Sequence, residues 1–141
     1  MKTIIENFIQ DKKVALVGAS QNQKKWGNML LRELKKKGYT VYPVNPNRDL
    51  VQGVKAYQNM AALPKKVDLA IIATRAPTVP DMVNECIASG ALSAVGISAG
   101  FSEIGEEGLR LAGQIKQAVE SNGMALLGPN CLGFIRPKLN L

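Results

Sequence analysis

The sequence predicts an α/β fold, a doubly wound parallel sheet of about five strands with helices on both faces. Short apolar runs alternate with segments that keep one apolar face at helical period, five times over 141 residues. The runs are continuously apolar rather than alternating, as strands must be when helices cover both faces of a sheet. Each run ends in a stretch rich in Gly, Ser, Thr, Asn or Pro. No linker or low-complexity segment interrupts the pattern, so residues 1–141 read as a single domain.

The elements follow in order. Residues 13–17 form the first strand, through Val14, Ala15, Leu16 and Val17. Residues 27–37 form the first helix, with Leu30, Leu31 and Leu34 turned inward and Gly38 as its stop. Residues 40–44 form the second strand, closed by the turn Asn45-Pro46-Asn47. Residues 51–62 are less regular, with an extended piece around Ala56 and Tyr57 and a short helical turn before Pro64. Residues 68–73 form the third strand. Residues 77–89 form the second helix on the face Val79, Met82, Val83, Cys86 and Ile87, with Pro80 in its first turn and Gly90 at its end. Residues 94–98 form the fourth strand. Leu111, Ala112, Ile115, Ala118 and Val119 mark a helix over residues 106–122, closed by Gly123, and residues 124–127 form the fifth strand. Residues 134–141 read as a segment leaving the domain.

Ligands of such sheets bind beyond the carboxyl ends of the strands, at the topological switch point. The candidate loops are therefore residues 18–26, 45–48, 74–77, 98–101 and 128–131. The first is the most informative. Gly18-Ala19-Ser20 follows the first strand directly, and Gly27 opens a helix seven residues later. A strand, a small-residue loop and a helix start bring backbone N–H groups onto an anionic phosphate. Lys24 and Lys25 add positive charge to the same loop. A phosphorylated ligand is expected.

Composition bounds the function further. The chain is 46% hydrophobic and 21% charged, ordinary for a soluble globular domain. No apolar stretch has the length of a bilayer span, so no membrane contact is expected. Residues 1–10 contain Glu6 and no small-residue cleavage pattern, unlike a signal peptide. Cys86 and Cys131 lack CxxC spacing, which suggests a reducing, cytoplasmic setting. The net charge is +7. Arg32, Lys35, Lys36 and Lys37 crowd one helix end, where cations suit the dipole. Lys24, Lys25 and Arg48 fall in loops after strands, a placement that favours a small polyanion over nucleic acid. Aromatics are only 5%, with no interleaving of basic and aromatic residues for stacking bases. The chain has no histidine. That excludes Ser-His and Cys-His pairs, a phosphohistidine and a histidine metal site within it. Cys86 falls on a helical apolar face and reads as core. Cys131 has no histidine to activate it and reads as structural.

A dinucleotide fingerprint needs G-x-G-x-x-G and an acidic residue after the second strand. Gly18 supplies the first glycine, but Ser20 and Gln23 occupy the other two positions, and Asn45 stands where the acid belongs. A nicotinamide cofactor is disfavoured.

In order along the chain stand Val14-Ala15-Leu16-Val17-Gly18-Ala19-Ser20, Lys25-x-Gly27, Gly38-Tyr39, Val41-Tyr42-Pro43-Val44-Asn45-Pro46 and Val67-Asp68-Leu69-Ala70. Val79-Pro80, Ser98-Ala99-Gly100-Phe101, Gly105-Glu106-Glu107-Gly108 and Leu127-Gly128-Pro129-Asn130-Cys131-Leu132-Gly133 follow. With this ordered set the chain resembles the N-terminal coenzyme A-binding domain of the nucleoside-diphosphate-forming acyl-CoA synthetases, relatives of the succinyl-CoA synthetase alpha subunit. The resemblance runs over nearly the whole chain. It implies coenzyme A in the crevice, with Gly18 at the turn and Ser20, Gln21, Asn22 and Gln23 cradling phosphate. Lys25 would be the cationic partner, and Asn45 and Arg48 would lie near the nucleotide phosphates. Thr74 would stand at the mouth after the third strand. Ile97, Ser98 and Ala99 would line the channel for the pantetheine arm. Lys24 and Trp26 depart from the family's usual small or aliphatic residues, and Trp26 would narrow the adenosine side.

The family's complete enzymes interconvert an acyl-CoA with an acid and CoA while forming ATP or GTP, through a phosphohistidine on a further domain. The resemblance therefore implies a chain that binds coenzyme A and needs the phosphohistidine and nucleotide-grasp domains for turnover. A stand-alone CoA-binding or regulatory protein is the alternative, with an NAD(P)-binding regulatory domain behind it. The segment at residues 134–141 favours part of a longer ligase. Simpler readings stay open for single residues: Ser20 as a cap, Lys25 as a solvated charge, Gly27 as a packing glycine, Asn45 and Pro46 as turn chemistry, and residues 98–101 as a strand-ending turn with Phe101 in the core.

Overall fold

A computed structural model describes residues 12–131. Residues 1–11 and 132–141, with the expected leaving segment and the Leu132-Gly133 end of the last motif, lie outside the described residues. Five strands form one parallel sheet: β1 (Lys13–Val17), β2 (Thr40–Val44), β5 (Leu69–Ile72), β6 (Ser93–Gly96) and β7 (Ala125–Leu127). The spatial order is β2-β1-β5-β6-β7. A two-stranded antiparallel hairpin, β3 (Leu50–Val51) and β4 (Val54–Lys55), stands beside it. Three helices follow the sheet strands: α1 (Trp26–Lys36), α2 (Val79–Ala88) and α3 (Glu106–Asn122).

The continuous apolar runs have a direct cause. Successive side chains of a strand point to opposite faces, and here both faces carry a core. Val14, Leu16, Leu69 and Ile71 pack with Leu31 and Leu34 of α1. Ala15, Val17, Ala70 and Ile72 pack on the other face with Val79, Val83 and Cys86 of α2 and Leu111 and Ile115 of α3. Complete burial raises the Cys86 thiol to about 12, so it behaves as a small apolar residue.

The boundaries shift where backbone chemistry decides them. Helix α1 starts at Trp26, one residue before Gly27. Helix α2 starts at Val79, because residues 76–78 form a separate 3-10 turn with Pro77 inside it. Strand β6 starts at Ser93 and ends at Gly96, shorter than the expected 94–98 at its carboxyl end. Residues 51–62 hold the expected extended contact, a bridge from Tyr57 to Val44, and a 3-10 turn at Met60–Ala62. The hairpin is the unforeseen element. Its turn puts both Gln52 (φ 51°) and Gly53 (φ 74°) in the left-handed region. Asn-Gly or Asp-Gly advertises such a turn, and Gln-Gly does not.

Candidate functional site

In this strand order β1 is followed spatially by β2 on one side and β5 on the other. The chain direction therefore diverges between β1 and β5, and a crevice opens at their carboxyl ends. A cleft of about 850 Å³ lies there. That volume is of the size that takes a cofactor. All five strand-end loops contribute to its wall, through Ser20, Asn45, Thr74, Ser98 and Asn130 among others.

The first loop is held from behind. A Cβ on Gly18 would meet the Ala73 carbonyl oxygen at 2.5 Å and Thr74 Cγ2 at 2.9 Å, and Gly18 has φ +89°. A Cβ on Gly27 would overlap the Gly18 carbonyl oxygen and stand 3.2 Å from Ala19 Cα. The start of α1 therefore lies directly on the turn that leaves β1. Two buried or half-buried amides then tie the loop's carbonyls inward. Asn28 Nδ2 donates to the Ser20 carbonyl at 3.0 Å, and Asn45 Nδ2 donates to the Ala19 carbonyl at 2.9 Å. Carbonyls facing an anion would repel it, so tying them back suits a phosphate. Lys25 is the N-cap of α1 and makes no side-chain cap bond, and the first turn holds no acidic residue. The Asn28 and Met29 N–H groups donate to the Lys25 carbonyl at 3.0 and 3.3 Å, which leaves those of Trp26 and Gly27 at the helix end, where the dipole favours negative charge.

Among the residues expected at the site, Gly18, Ser20, Lys25, Asn45, Thr74, Ile97, Ser98 and Ala99 line this one cleft. Gln21, Asn22, Gln23 and Arg48 do not line it. The reason is visible in their bonds. Gln21 Oε1 accepts from the Gln52 N–H at 2.8 Å, turned toward the hairpin. Asn22 Oδ1 accepts from the Lys24 N–H at 2.9 Å, closing the loop on itself. Gln23 and Arg48 are exposed beside it. Ser20 caps its own turn rather than the helix, since its Oγ accepts from the Asn22 N–H at 3.0 Å. Asn45 shows the turn chemistry left open for it, since Oδ1 accepts from the Asn47 N–H at 2.8 Å, and its Nδ2 is used on the Ala19 carbonyl.

The opposite wall is built by β5 and β6. Ser98 is buried, and its Oγ donates to the Thr74 carbonyl at 2.6 Å, locking two strand-end loops together. Thr74 Oγ1 is buried with no partner. A buried hydroxyl without a partner costs about 1–3 kcal/mol, and this one belongs to a residue of the cleft wall. The loop after β6 is fastened by Glu103, which accepts from the Gly100 N–H and, at 3.3 Å, from Asn130 Nδ2. The Gly100 bond, then those of the Glu103 and Phe101 backbones, hold the Glu103 carboxyl below its ordinary value. Helix α3 abuts the same loop, because a Cβ on Gly108 would overlap the Phe101 carbonyl.

Sequence reasoning left Arg75, Glu107 and Ile104 out of the site, yet all three line the cleft. Arg75 was within reach, as the residue after Thr74 in a strand-end loop. Glu107 and Ile104 lie beyond the loop and reach the cleft only because of the contact at Gly108. The Glu107 carboxylate is engaged by Arg110 at 2.6 Å. That leaves Lys24, Lys25 and Arg75 as the cations facing the cleft among the described residues, which suits a ligand with several negative charges. Among the described residues no group of three or more acidic or cysteine side chains could hold a metal ion.

A family profile described as CoA binding domain matches residues 12–137. The chain belongs to the CoA-binding domain family. Coenzyme A, a carrier with a nucleotide and phosphates at one end and a thiol arm at the other, is the ligand that membership gives it. The cleft fits it: cations and helix N–H groups at the first loop, an unpartnered hydroxyl and apolar Ile97 along the far wall. The CoA-binding chain is 39% identical to the acetate-CoA ligase (ADP-forming) II subunit alpha of Pyrococcus furiosus over 139 residues, which is 98% of this chain and 30% of that protein. It is 40% identical to acetate-CoA ligase (ADP-forming) I of Archaeoglobus fulgidus, over 96% of this chain and 20% of the relative. It thus spans less than a third of these curated relatives. Its fold superposes on the dinucleotide forming acetyl-coenzyme A synthetase 1 of Ca. Korarchaeum cryptofilum with a TM-score of 0.87 at 34% identity, covering 97% of this chain and 30% of that one. A conserved hypothetical protein from Pyrococcus furiosus matches with a TM-score of 0.69 at 31% identity, covering 85% of this chain and 95% of that one. No described helix is long and apolar enough to cross a membrane.

Proposed function

We propose that this chain is the CoA-binding part of an ADP- or GDP-forming acyl-CoA ligase. It holds coenzyme A in the cytoplasm for a phosphohistidine domain and a nucleotide-grasp domain carried elsewhere in the same enzyme. The convergence of five strand-end loops on one cationic cleft carries this reading. Coenzyme A, when bound, supplies the thiol that accepts the acyl group. The chain's own residues bind and orient it. The N–H groups of the first loop and of α1 take a phosphate, and Lys24, Lys25 and Arg75 offset its charge. The Thr74 hydroxyl, held in place by Ser98, donates to a polar group of the arm, and Ile97 and Ala99 give the arm an apolar wall. Gln21, Asn22, Gln23 and Arg48 serve the phosphates indirectly, by fixing the loop or by long-range charge. With no histidine in the sequence, the phosphoryl group is carried by another domain.

The test is calorimetry of the purified chain with CoA, NAD and NADP, followed by a coupled acyl-CoA assay with ATP and acid. CoA should bind tightest, and the chain alone should form no acyl-CoA. Tighter NAD binding, or turnover by this chain alone, would overturn the reading. A second reading, a stand-alone CoA-binding protein, is favoured by the match to a Pyrococcus furiosus protein of similar size. Restoration of turnover by the separately expressed remainder of a ligase decides between the two.

A further inference from the structure

We propose that Trp26 is the base platform of this cleft: its indole stacks the purine ring of coenzyme A and makes the site select the nucleotide end of the carrier. The inference rests on the CoA reading above. Trp26 is the single tryptophan of the chain, and it is 52% exposed. Scattered exposed apolar residues are ordinary on a protein surface, but this one lines the cleft. Its backbone is also held in place. It is the first residue of α1, and its neighbour Gly27 is pinned against Gly18.

The connectivity of the ligand does the rest. The leading N–H groups of α1 and the side chains of Lys24 and Lys25 mark the phosphate end of the cleft. A purine is joined to its phosphates through one ribose, so it must lie beside that end. Trp26 stands there and offers a flat π surface. No other aromatic residue lines the cleft among the described residues. Tyr42 and Tyr57 are turned toward each other, with ring centroids 6.2 Å apart. Phe101 is buried. Stacking tolerates the half-exposed ring, because the second face of a stacked base can remain in water. Lys24 and Lys25, next to the ring in sequence, then meet the phosphate on the ribose of the same nucleotide, which joins stacking to charge at one rim.

The single tryptophan makes the experiment direct. Its emission is followed while the wild-type chain is titrated with CoA, with adenosine 3′,5′-bisphosphate and with pantetheine, and each affinity is measured by calorimetry. Stacking on a purine should quench the emission with CoA and with the bisphosphate, and pantetheine should leave it unquenched. Trp26→Leu should weaken both nucleotide ligands by roughly tenfold to a hundredfold, the loss expected for one stacked base. It should weaken CoA far more than pantetheine. Trp26→Phe, which keeps a ring, should recover most of the affinity, and circular dichroism checks that both variants fold. CoA binding by calorimetry with unquenched emission and an unaltered affinity in Trp26→Leu overturns this proposal while leaving the CoA reading intact. Absence of CoA binding to the wild-type chain overturns both.

Discussion

Replacing Gly27 by alanine tests whether the contact between α1 and the first loop builds the phosphate site. The new Cβ would overlap the Gly18 carbonyl oxygen and lie 2.9 Å from its carbonyl carbon. Carbon atoms in contact sit about 3.5–4.0 Å apart, so α1 must retreat by roughly half an ångström or more. The obstructing atoms are backbone and cannot swing aside. Overpacking of this kind costs about 1–3 kcal/mol. Alanine returns up to about 1 kcal/mol of helix propensity. The strain wins, and Gly27→Ala should lose about 1–2 kcal/mol of stability in urea unfolding. Retreat of the helix also draws its N–H groups away from the ligand. Losing one bond to a charged phosphate should weaken CoA by roughly tenfold or more in calorimetry. Gly113→Ala is the internal control. It lies in α3 with nothing within 4 Å of its Cβ position. There only propensity and chain entropy act, and stability should rise by about 0.5–1 kcal/mol. A Gly27→Ala variant as stable as Gly113→Ala, with wild-type CoA affinity, would refute the reasoning.

Lys25→Ala and Arg75→Ala should each weaken CoA by about 1–2 kcal/mol, the range for a charge-assisted contact. Titration from 50 to 500 mM salt should show a shallower dependence in each variant than in the wild type, and an unchanged affinity assigns that side chain to solvent. Thr74→Val removes the buried hydroxyl that lacks a partner. It should leave the free chain as stable or up to about 1 kcal/mol more stable, yet weaken CoA, as the proposed donation from this hydroxyl to the ligand requires. Loss of stability with intact CoA affinity would contradict this. Glu103 has its carboxyl held below the ordinary 4.5 by the Gly100 N–H first, then by the Glu103 and Phe101 backbones. A lowered folded value means that its contribution is complete above pH 4.5 and is lost as pH falls through that lowered value. Thermal melts from pH 7 to pH 3 should therefore show a shallower acid loss in Glu103→Gln, and parallel profiles below pH 4.5 would argue against the fastening role.

Much of the molecule was legible in the sequence because its cause is local. Continuous apolar runs report burial on both faces. The 106–122 helix was read to its exact ends because Leu111 and Ile115 keep one face and Gly123 adopts the left-handed stop, φ 70°. Gly18-Ala19-Ser20 announced a turn at a strand end, and the broken dinucleotide fingerprint disfavoured the commonest competitor. Family membership was legible too, because the motifs occur in order.

The strand order could not be read, since periodicity says nothing about which strand pairs with which. That order, β2-β1-β5-β6-β7, is what opens the crevice between β1 and β5. It also decided which loop residues face a ligand. Gln21 was captured by the Gln52 backbone of a hairpin 31 residues away, so a polar side chain that looked available is spent on holding the loop. Arg75, Ile104 and Glu107 entered the cleft through β5 and through the close approach of α3 to Phe101. The sequence by itself determined the fold class, the family and the glycine turn after β1, because each depends on neighbours along the chain. Only the tertiary structure decided the membership of the cleft, because that depends on contacts between residues far apart in sequence.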